Sequence, residues 1–183
     1  MNELIEACKR NDADAFRKIY DTYAPKMMGI SLRYMQNRVE AEDVLQDSFI
    51  KVYLNIKKYR SDGSFEGWLR RIVVNVAINK LKENARNEIT LLNSDETIAN
   101  DHIDESNSIE DIEYRYSMQE MLNAIQRLSN MHRMIFNMAE IEGFSTKEIA
   151  EKLNLSEHTI RGSLSKAKTI LRTYLEKPIK KQQ

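Results

Sequence analysis

The sequence lacks the residues on which several protein classes depend. Cys8 is the single cysteine, which excludes internal disulfides and cysteine-rich metal sites. The three histidines, His102, His132 and His158, are too scattered to share a metal ion. No apolar run approaches the ~18 residues of a membrane span, and no apolar segment near the N-terminus marks a secretory signal. We therefore expect a cytoplasmic protein with no metal and no other cofactor.

Residues that interrupt helices are also scarce. The 183 residues include only five glycines and two prolines, and no useful length of chain alternates polar and apolar residues as a strand does. Apolar residues make up 42% of the chain, which is enough to form packed cores. The sequence therefore predicts an all-α protein with one mid-sized domain or two small ones.

The net charge is zero, yet acidic and basic residues are segregated along the chain. Residues 51–86 hold nine Lys or Arg against three acids, whereas residues 87–114 hold nine acids and no Lys or Arg. From Arg161 onward there are seven basic residues and one acid, Glu176. Such blocks are typical of interaction surfaces and tails, and two basic segments favour nucleic acid as a partner. Solvated helix faces are the alternative interpretation.

The first part of the chain predicts two helices. Apolar residues repeat at helical spacing from about Asp12 to Met35, and we expect Pro25 to break this helix close to Tyr23. Asn37-Arg-Val-Glu40 resembles a capping box that opens a helix over about 38–58. The apolar face of that helix carries Val44, Leu45, Ile50 or Phe49, Val52 and Ile56. Its polar stripe carries Asp43, Gln46 and Asp47.

A loop over residues 57–65 combines turn residues, cations and aromatic rings. Ser64 is placed to cap the next helix, whose polar face carries Arg70, Arg71, Asn75, Asn79, Lys80 and Lys82. Melted DNA exposes base faces, which stack on aromatic rings in a positively charged groove. The candidates for such contacts are Tyr59, Phe65, Trp68, Arg60 and Arg71. Trp68 taken alone suits a core position equally well.

Two consecutive helices near the C-terminus predict a helix-turn-helix, after a helix that Gly143 ends. Ser145-Thr-Lys-Glu148 is a full capping box. In the turn Asn154-Leu-Ser156, Leu155 is expected to plug the core and Ser156 to cap the second helix. The inner face of that helix carries Ile160, Leu164, Ala167, Leu171 and Leu175. Its outer face carries His158, Thr159, Arg161, Gly162, Ser165, Lys166 and Lys168.

The outer face of this second helix has the side chains that a DNA major groove requires. Arg161 can pair with guanine through two hydrogen bonds, whereas Lys166, Lys168 and Arg172 suit phosphates. Gly162 lets the backbone approach the DNA closely. Ser156 and the helix N-terminus together attract a phosphate. A plain helical hairpin with a basic solvent face is the alternative.

Catalysis finds little support in the sequence. Asp43 and Asp47 share a helix face, but no general base or metal partner accompanies these carboxylates. No glycine-rich loop that would cradle a phosphate is present. We therefore expect neither an enzyme nor a small-molecule substrate.

Several of these segments resemble one known family. Asp14–Pro25, Asn37–Phe49 and Phe65–Ile72, with Asn75, resemble region 2 of extracytoplasmic-function (ECF) sigma factors of the sigma-70 superfamily. Phe144–Leu153 and the helix after it resemble region 4. The resemblance implies an all-α fold of two small helical domains joined by an acidic linker. Region 2 then covers 1–86, the linker 87–115 and region 4 116–183.

The resemblance also implies a role for each motif. The contact with the clamp helices of the largest polymerase subunit falls on Asp43, Gln46 and Asp47. One set of residues is implied to capture a flipped-out base of the −10 promoter element, in the non-template strand, and to guide that strand. These residues are Tyr59, Arg60, Ser61, Asp62, Gly63, Ser64, Phe65, Trp68, Arg71, Asn75 and Asn79. Reading of the duplex −35 element falls on Ser156, His158, Thr159, Arg161, Gly162, Ser165, Lys166 and Lys168. The implied partners are bacterial core RNA polymerase, promoter DNA and an anti-sigma protein, which in this family is often membrane-bound.

Two other functions remain open on the sequence. A helix-turn-helix repressor or activator would bind an operator without polymerase, usually as a dimer on a palindrome, but it leaves the first half of the chain unexplained. A protein-interaction module of helical hairpins would use its basic faces to bind an acidic partner and would have no effect on DNA.

Overall fold

The computed structural model describes residues 1–86 and 116–176. These two ranges contain eight α-helices and no strand, which confirms the predicted all-α class. The helices are α1 (Asn2–Lys9), α2 (Ala13–Tyr34), α3 (Arg38–Asn55), α4 (Phe65–Asn84), α5 (Met118–Gln126), α6 (Asn130–Phe136), α7 (Thr146–Leu153) and α8 (Glu157–Glu176). None of the helices in these ranges is both long and apolar enough to cross a bilayer.

The chain divides into two compact units, Met1–Lys80 and Leu81–Gln183. The division falls in the C-terminal part of α4, a few residues before the predicted boundary at residue 86. The first unit contains α1, α2, α3 and most of α4, and the second contains α5 to α8. The predicted acidic linker, 87–115, lies outside the described residues.

Pro25 lies inside α2 without interrupting it, so the expected break near Tyr23 is wrong. Proline removes one backbone hydrogen bond from a helix interior. Pro25 is on the exposed side of α2, where water can satisfy the carbonyl group that has lost its donor. The opposite side stays packed on both sides of the proline, because Tyr23, Met27 and Ile30 are buried. Burial of this continuous face holds the helix together.

The start of α3 follows the predicted cap, with a difference in one hydrogen bond. The Asn37 side chain accepts a hydrogen bond from the backbone N–H of Glu40 (2.9 Å). The Glu40 carboxylate in turn accepts a hydrogen bond from the side-chain amide of Asn37 (2.9 Å). In a capping box it would accept that bond from the backbone N–H of Asn37 instead. Further along α3, Phe49 is buried and Ile50 is exposed, so Phe49 occupies the core position for which both were considered.

The short helix α1 was not predicted from the sequence. Its buried residues, Ile5 and Cys8, are three positions apart and share one face. This face packs on α2 and on a 3₁₀ turn, Ile56–Lys58, that follows α3 directly. Asn11 adopts a positive φ of 66° between the two helices, and Asp12 caps α2. The first unit therefore surrounds its core with four helices.

The core of the second unit lies where α8 packs on α5 and α6. It contains Ala124, Ile125, Leu128, Phe136, Ala167, Leu171 and Leu175. Both α5 and α7 begin with a capping box, in which Ser117 pairs with Glu120 and Ser145 with Glu148. A π-helical turn, Asn137–Ile141, continues α6. Gly143 follows with a φ of 75°, which confirms the glycine stop predicted there.

Candidate nucleic-acid interface

The loop between α3 and α4 forms one wall of a concave pocket. The pocket encloses about 300 Å³, at the lower end of the range for small-molecule sites. Its lining residues are Lys58, Tyr59, Arg60, Asp62, Gly63, Ser64, Gly67, Trp68 and Arg71. The structure thus brings together most of the loop residues predicted to contact melted DNA. The lining carries three cationic side chains and one carboxylate. Its net positive charge favours an anionic ligand.

Three aromatic rings, those of Tyr59, Phe65 and Trp68, pack together at this pocket. The ring of Tyr59 lies 5.3 Å from that of Phe65 and 5.4 Å from that of Trp68, measured between centroids. Phe65 also packs on Tyr23 of α2, at 5.5 Å. Tyr59 and Phe65 are only 8% and 5% exposed, whereas Trp68 is half-buried and lines the pocket. Of the three predicted stacking rings, Trp68 is therefore the most accessible to a base.

Hydrogen bonds within the loop hold its shape. The Tyr59 hydroxyl donates to the carbonyl oxygen of Gly63 (2.7 Å), and Ser61 adopts a left-handed φ of 62° between them. The Ser64 hydroxyl accepts a hydrogen bond from the backbone N–H of Gly67 (3.0 Å), which confirms the predicted cap of α4. A Cβ atom at Gly67 would lie 3.0 Å from that hydroxyl oxygen, so only glycine fits there without a shift. The pocket is thus formed before any ligand binds.

One face of α4 continues from the pocket with polar side chains. Arg71, Asn75 and Asn79 recur every four residues, and all three are exposed. Arg70 and Lys80 are partly buried. Side chains spaced in this way can donate hydrogen bonds to successive positions of a DNA strand that leaves the pocket.

The helix-turn-helix of the second unit has the local geometry predicted for it. Asn154 ends α7 in the left-handed conformation, with φ 56° and ψ 49°. Leu155 is buried, and its backbone N–H donates to the carbonyl oxygen of Ala150 (3.1 Å). The Ser156 hydroxyl then accepts a hydrogen bond from the backbone N–H of Thr159 (3.0 Å) and caps α8. Both expected roles of the turn, the core plug and the cap, are confirmed.

The predicted DNA-contacting side chains of α8 differ in exposure. Ser156, His158, Arg161 and Lys166 are exposed, while Thr159, Gly162, Ser165 and Lys168 are partly buried. Arg161 forms an ion pair with Glu157 one turn earlier, at 2.7 Å. Lys168 forms one with Glu140 of the π-helical turn, at 2.9 Å. Sequence reasoning missed both acidic partners, although the spacing of Glu157 and Arg161 signals the first.

The three polar residues predicted on α3 are exposed together on one side of the helix. Asp43, Gln46 and Asp47 have large apolar neighbours in Ile50 and Leu54, which are 50% and 68% exposed. A groove of about 810 Å³ between α2 and α3 lies beside them. Its lining includes Tyr20, Met28, Leu45, Gln46, Phe49, Ile50, Tyr53 and Leu54. Exposed apolar area of this kind marks a surface for protein partners, and sequence reasoning missed it.

Metal-binding chemistry is not visible in the described part of the chain. No group of three or more His, Cys, Asp or Glu side chains converges there. Among the pocket's neighbours, burial and the nearby Glu66 carboxylate raise the pKa of Tyr23, which keeps this phenol neutral.

Comparison with known proteins agrees with this arrangement. The family model for sigma-70 region 2 matches residues 19–87, and that for sigma-70 region 4 matches residues 118–171. The RNA polymerase sigma-H factor of Pseudomonas aeruginosa is 30% identical over 177 residues, which cover 91% of this chain and 89% of the relative. The ECF RNA polymerase sigma factor SigW of Bacillus subtilis is 28% identical, and the match covers 96% of each chain.

The fold has a solved counterpart. The sigma factor RpoE of Bartonella quintana, in complex with the anti-sigma factor NepR, superposes with a TM-score of 0.50 and 20% identity. The match covers 89% of this chain and 98% of that one. The two family models lie in the same order as the two units and hold the pocket and the helix-turn-helix, respectively. The chain therefore belongs to the ECF sigma factors of the sigma-70 family, transcription initiation factors that direct RNA polymerase to promoters.

Proposed function

We propose that this sigma factor divides promoter recognition between three surfaces. The pocket beside the 57–65 loop captures a base of the melted −10 element, α8 reads the duplex −35 element, and the exposed face of α3 binds core polymerase. The observation that carries the proposal is the pre-formed pocket, in which the Trp68 ring stands among Lys58, Arg60 and Arg71. The protein itself catalyses no reaction and acts in the cytoplasm, where the polymerase is.

The pocket suits one unstacked nucleotide. Unstacking a base costs a few kcal/mol, which the site must offset. Trp68 supplies an apolar face, and the backbone and hydroxyl groups of Gly63 and Ser64 supply hydrogen-bonding atoms at the rim. Arg60 and Arg71 neutralise the phosphates on either side. The buried rings of Tyr59 and Phe65 act by supporting this wall, and Ser61 and Asp62 shape the turn.

Recognition of the −35 element falls to the exposed N-terminal half of α8. Arg161 is held by Glu157, which limits the number of rotamers its long side chain can adopt. A guanidinium ordered in this way is ready to bind guanine through two hydrogen bonds. Lys166, exposed one turn further on, suits a phosphate, as does the capped N-terminus at Ser156. Lys168 reaches DNA only if it leaves Glu140.

Polymerase binding falls on α3. The carboxylates of Asp43 and Asp47 face a basic partner, and Ile50 and Leu54 extend the contact with apolar area. A rim of charge around apolar anchors is how protein interfaces are commonly built. We further propose the domain limits 1–86 and 116–183, with 87–115 as the linker between them.

An anti-sigma protein is the proposed regulator. The Bartonella sigma factor was solved with its anti-sigma factor bound, and this chain shares its fold. The groove between α2 and α3 offers such a protein an apolar docking surface next to the polymerase-binding face. Occupation of that groove would keep the polymerase from binding. The resemblance to ECF sigma factors implies a regulator of a kind that is often membrane-bound.

Run-off transcription tests the proposal. Core polymerase is assayed with and without the full-length protein on DNA fragments from upstream of its own gene. Transcripts that start at defined sites only when the protein is present support the proposal and identify the promoter. Absence of both transcription and polymerase binding would refute it, and operator binding by the protein alone would then favour a repressor. Arg71→Ala should weaken promoter opening, whereas Lys18→Ala, on the exposed side of α2, serves as the matched control.

A further inference from the structure

Helix α1 contacts the segment that leads into the loop over residues 57–65. This loop is called the capture loop below, and the pocket beside it, proposed to bind a −10 base, is called the capture pocket. Its buried face contacts the 3₁₀ turn Ile56–Lys58, and the backbone N–H of Tyr59 closes this turn by donating to Ile56 (3.1 Å). The Lys9 ammonium lies 6.0 Å from the centroid of the Tyr59 ring, at the outer limit of a cation–π contact. Glu6 holds that ammonium with an ion pair of 2.8 Å. Tyr59 therefore lies between α1 and the pocket.

This helix is outside the part of the chain that the family model of region 2 matches, which begins at residue 19. Its attachment is small, because only Ile5 and Cys8 are fully buried, while Leu4, Ala7 and Lys9 are partly buried. A short helix with so few buried side chains can undock while the rest of the domain stays folded. Undocking would uncover the 3₁₀ turn and one side of Tyr59, whose hydroxyl holds Gly63 in the pocket wall.

We infer that α1 positions the capture loop, so that docking of α1 and capture of a −10 base stabilise each other. The inference rests on the proposed function of the pocket. Coupling between two equilibria is reciprocal. If docked α1 strengthens base capture by some factor, a captured base must favour docked α1 by the same factor. Lys9 acts in this scheme as a positioning residue, through Tyr59, and touches no DNA.

Cys8 offers a direct readout of docking. It is the only cysteine of the chain and is 2% exposed while α1 is docked. Burial and the nearby Asp12 carboxylate raise the pKa of this thiol, which slows its reaction with alkylating reagents further. Alkylation of Cys8 therefore reports the fraction of molecules in which α1 has undocked.

The experiment uses the holoenzyme of full-length protein and core polymerase. Cys8 is alkylated with N-ethylmaleimide, and the modified peptide is quantified by mass spectrometry. The probe is a short DNA single strand with the non-template −10 sequence mapped by run-off transcription. A saturating amount of this strand should slow alkylation several-fold, whereas a −35 duplex should leave the rate unchanged. An unchanged rate with the bound single strand overturns the coupling and leaves base capture intact. Failure of the wild-type holoenzyme to bind the strand overturns base capture and the coupling together.

Lys9→Met and Lys18→Met form a matched pair of variants that keep the core intact. Lys9→Met should speed alkylation of Cys8 and weaken single-strand binding by a similar factor of about 3–10, whereas Lys18→Met should change neither. The salt dependence of strand binding separates positioning from direct contact. If Lys9 only positions the loop, its replacement leaves the slope of log affinity against log salt unchanged. If Lys9 binds a phosphate, its replacement lowers that slope by about one. A lowered slope, or wild-type behaviour of Lys9→Met, refutes the positioning role of Lys9.

Discussion

The hydroxyl of Tyr59 donates a hydrogen bond to the carbonyl oxygen of Gly63, 2.7 Å away, and this bond closes the loop beside the pocket proposed to capture a −10 base. Because the ring of Tyr59 is packed against Phe65 and Trp68, the hydroxyl cannot move without disturbing the aromatic cluster. These contacts limit the conformations that the loop can adopt in the absence of DNA. A pre-ordered loop loses less entropy on binding, which leaves more of the binding energy to offset the unstacking of a base.

Tyr59→Phe should loosen the loop while keeping the ring in place. The hydrogen bond contributes about 0.5–1.5 kcal/mol, so we expect strand binding at the −10 element to weaken by roughly two- to tenfold. Binding of a −35 duplex should be unchanged. Because Trp68 is the only tryptophan, its fluorescence in the free protein should report the loosened loop. Tyr174→Phe, which removes a hydroxyl from a partly buried ring near the C-terminal end of α8, is the control. Wild-type strand affinity in Tyr59→Phe would contradict a structural role for the bond.

Arg161 and Lys166 should respond differently to the same substitution. Arg161→Ala removes a contact proposed to read a base edge, so we expect it to cost about 1–3 kcal/mol of binding free energy on the cognate −35 element. This cost should disappear on DNA in which the base that Arg161 reads has been changed. Lys166→Ala should weaken binding to every −35 sequence equally. It should also lower the slope of log affinity against log salt by about one. A panel of single-base −35 variants, titrated with holoenzyme, measures both effects. Equal losses on every sequence for Arg161→Ala would make it a phosphate contact instead.

Local interactions explain why much of the second unit could be predicted. A capping box such as Ser145 with Glu148 involves residues three positions apart, and the turn at Leu155 is fixed by its immediate neighbours. Helical periodicity places the apolar residues of α8 on one face with little help from distant parts of the chain. Periodicity alone still missed Ser163, which is buried on that face.

Long-range packing explains what could not be predicted. Continuity of α2 through Pro25 depends on what its buried face meets, and the choice of Phe49 over Ile50 depends on where α2 lies. Burial of Tyr59 and Phe65 results from their contacts with each other and with α2. Sequence marked these rings as candidates for stacking on DNA because aromatic residues suit both roles. Only the arrangement of the helices separates the supporting rings from the accessible one.

The capping box of α7 should make the stability of the second unit depend on pH. Hydrogen bonds from the backbone N–H and the hydroxyl of Ser145 lower the pKa of Glu148 below its ordinary value of 4.5. A lowered folded-state pKa gives stabilisation that is complete above about pH 4.5 and is lost as pH falls through the folded-state pKa. Urea unfolding followed between about pH 6 and pH 3 should show this loss in the wild type and a smaller one in Glu148→Gln.

Two comparisons sharpen the test of this capping box. Ser145→Ala removes the cap and should cost about 1 kcal/mol near neutral pH. Glu151→Gln neutralises an exposed acid on the same helix and should retain the wild-type pH dependence. Glu120, whose pKa is lowered in the same way by Ser117, should behave like Glu148 when it is replaced by Gln. A pH dependence that survives in both Gln variants would have to arise elsewhere in the protein.

The exposed face of α3 should affect polymerase binding through two separable effects. Charges at the rim of an interface mainly steer association, whereas apolar side chains at its centre mainly slow dissociation. Asp47→Lys should therefore reduce the association rate with core polymerase by about tenfold, most strongly at low salt. Leu54→Ala should instead raise the dissociation rate, because a side chain that is 68% exposed in the free protein no longer gains burial in the complex. Asp21→Lys, a charge reversal on the exposed side of α2, is the control for net charge. If Asp47→Lys and Asp21→Lys slow association equally, α3 has no special part in assembly, and the polymerase must contact another surface.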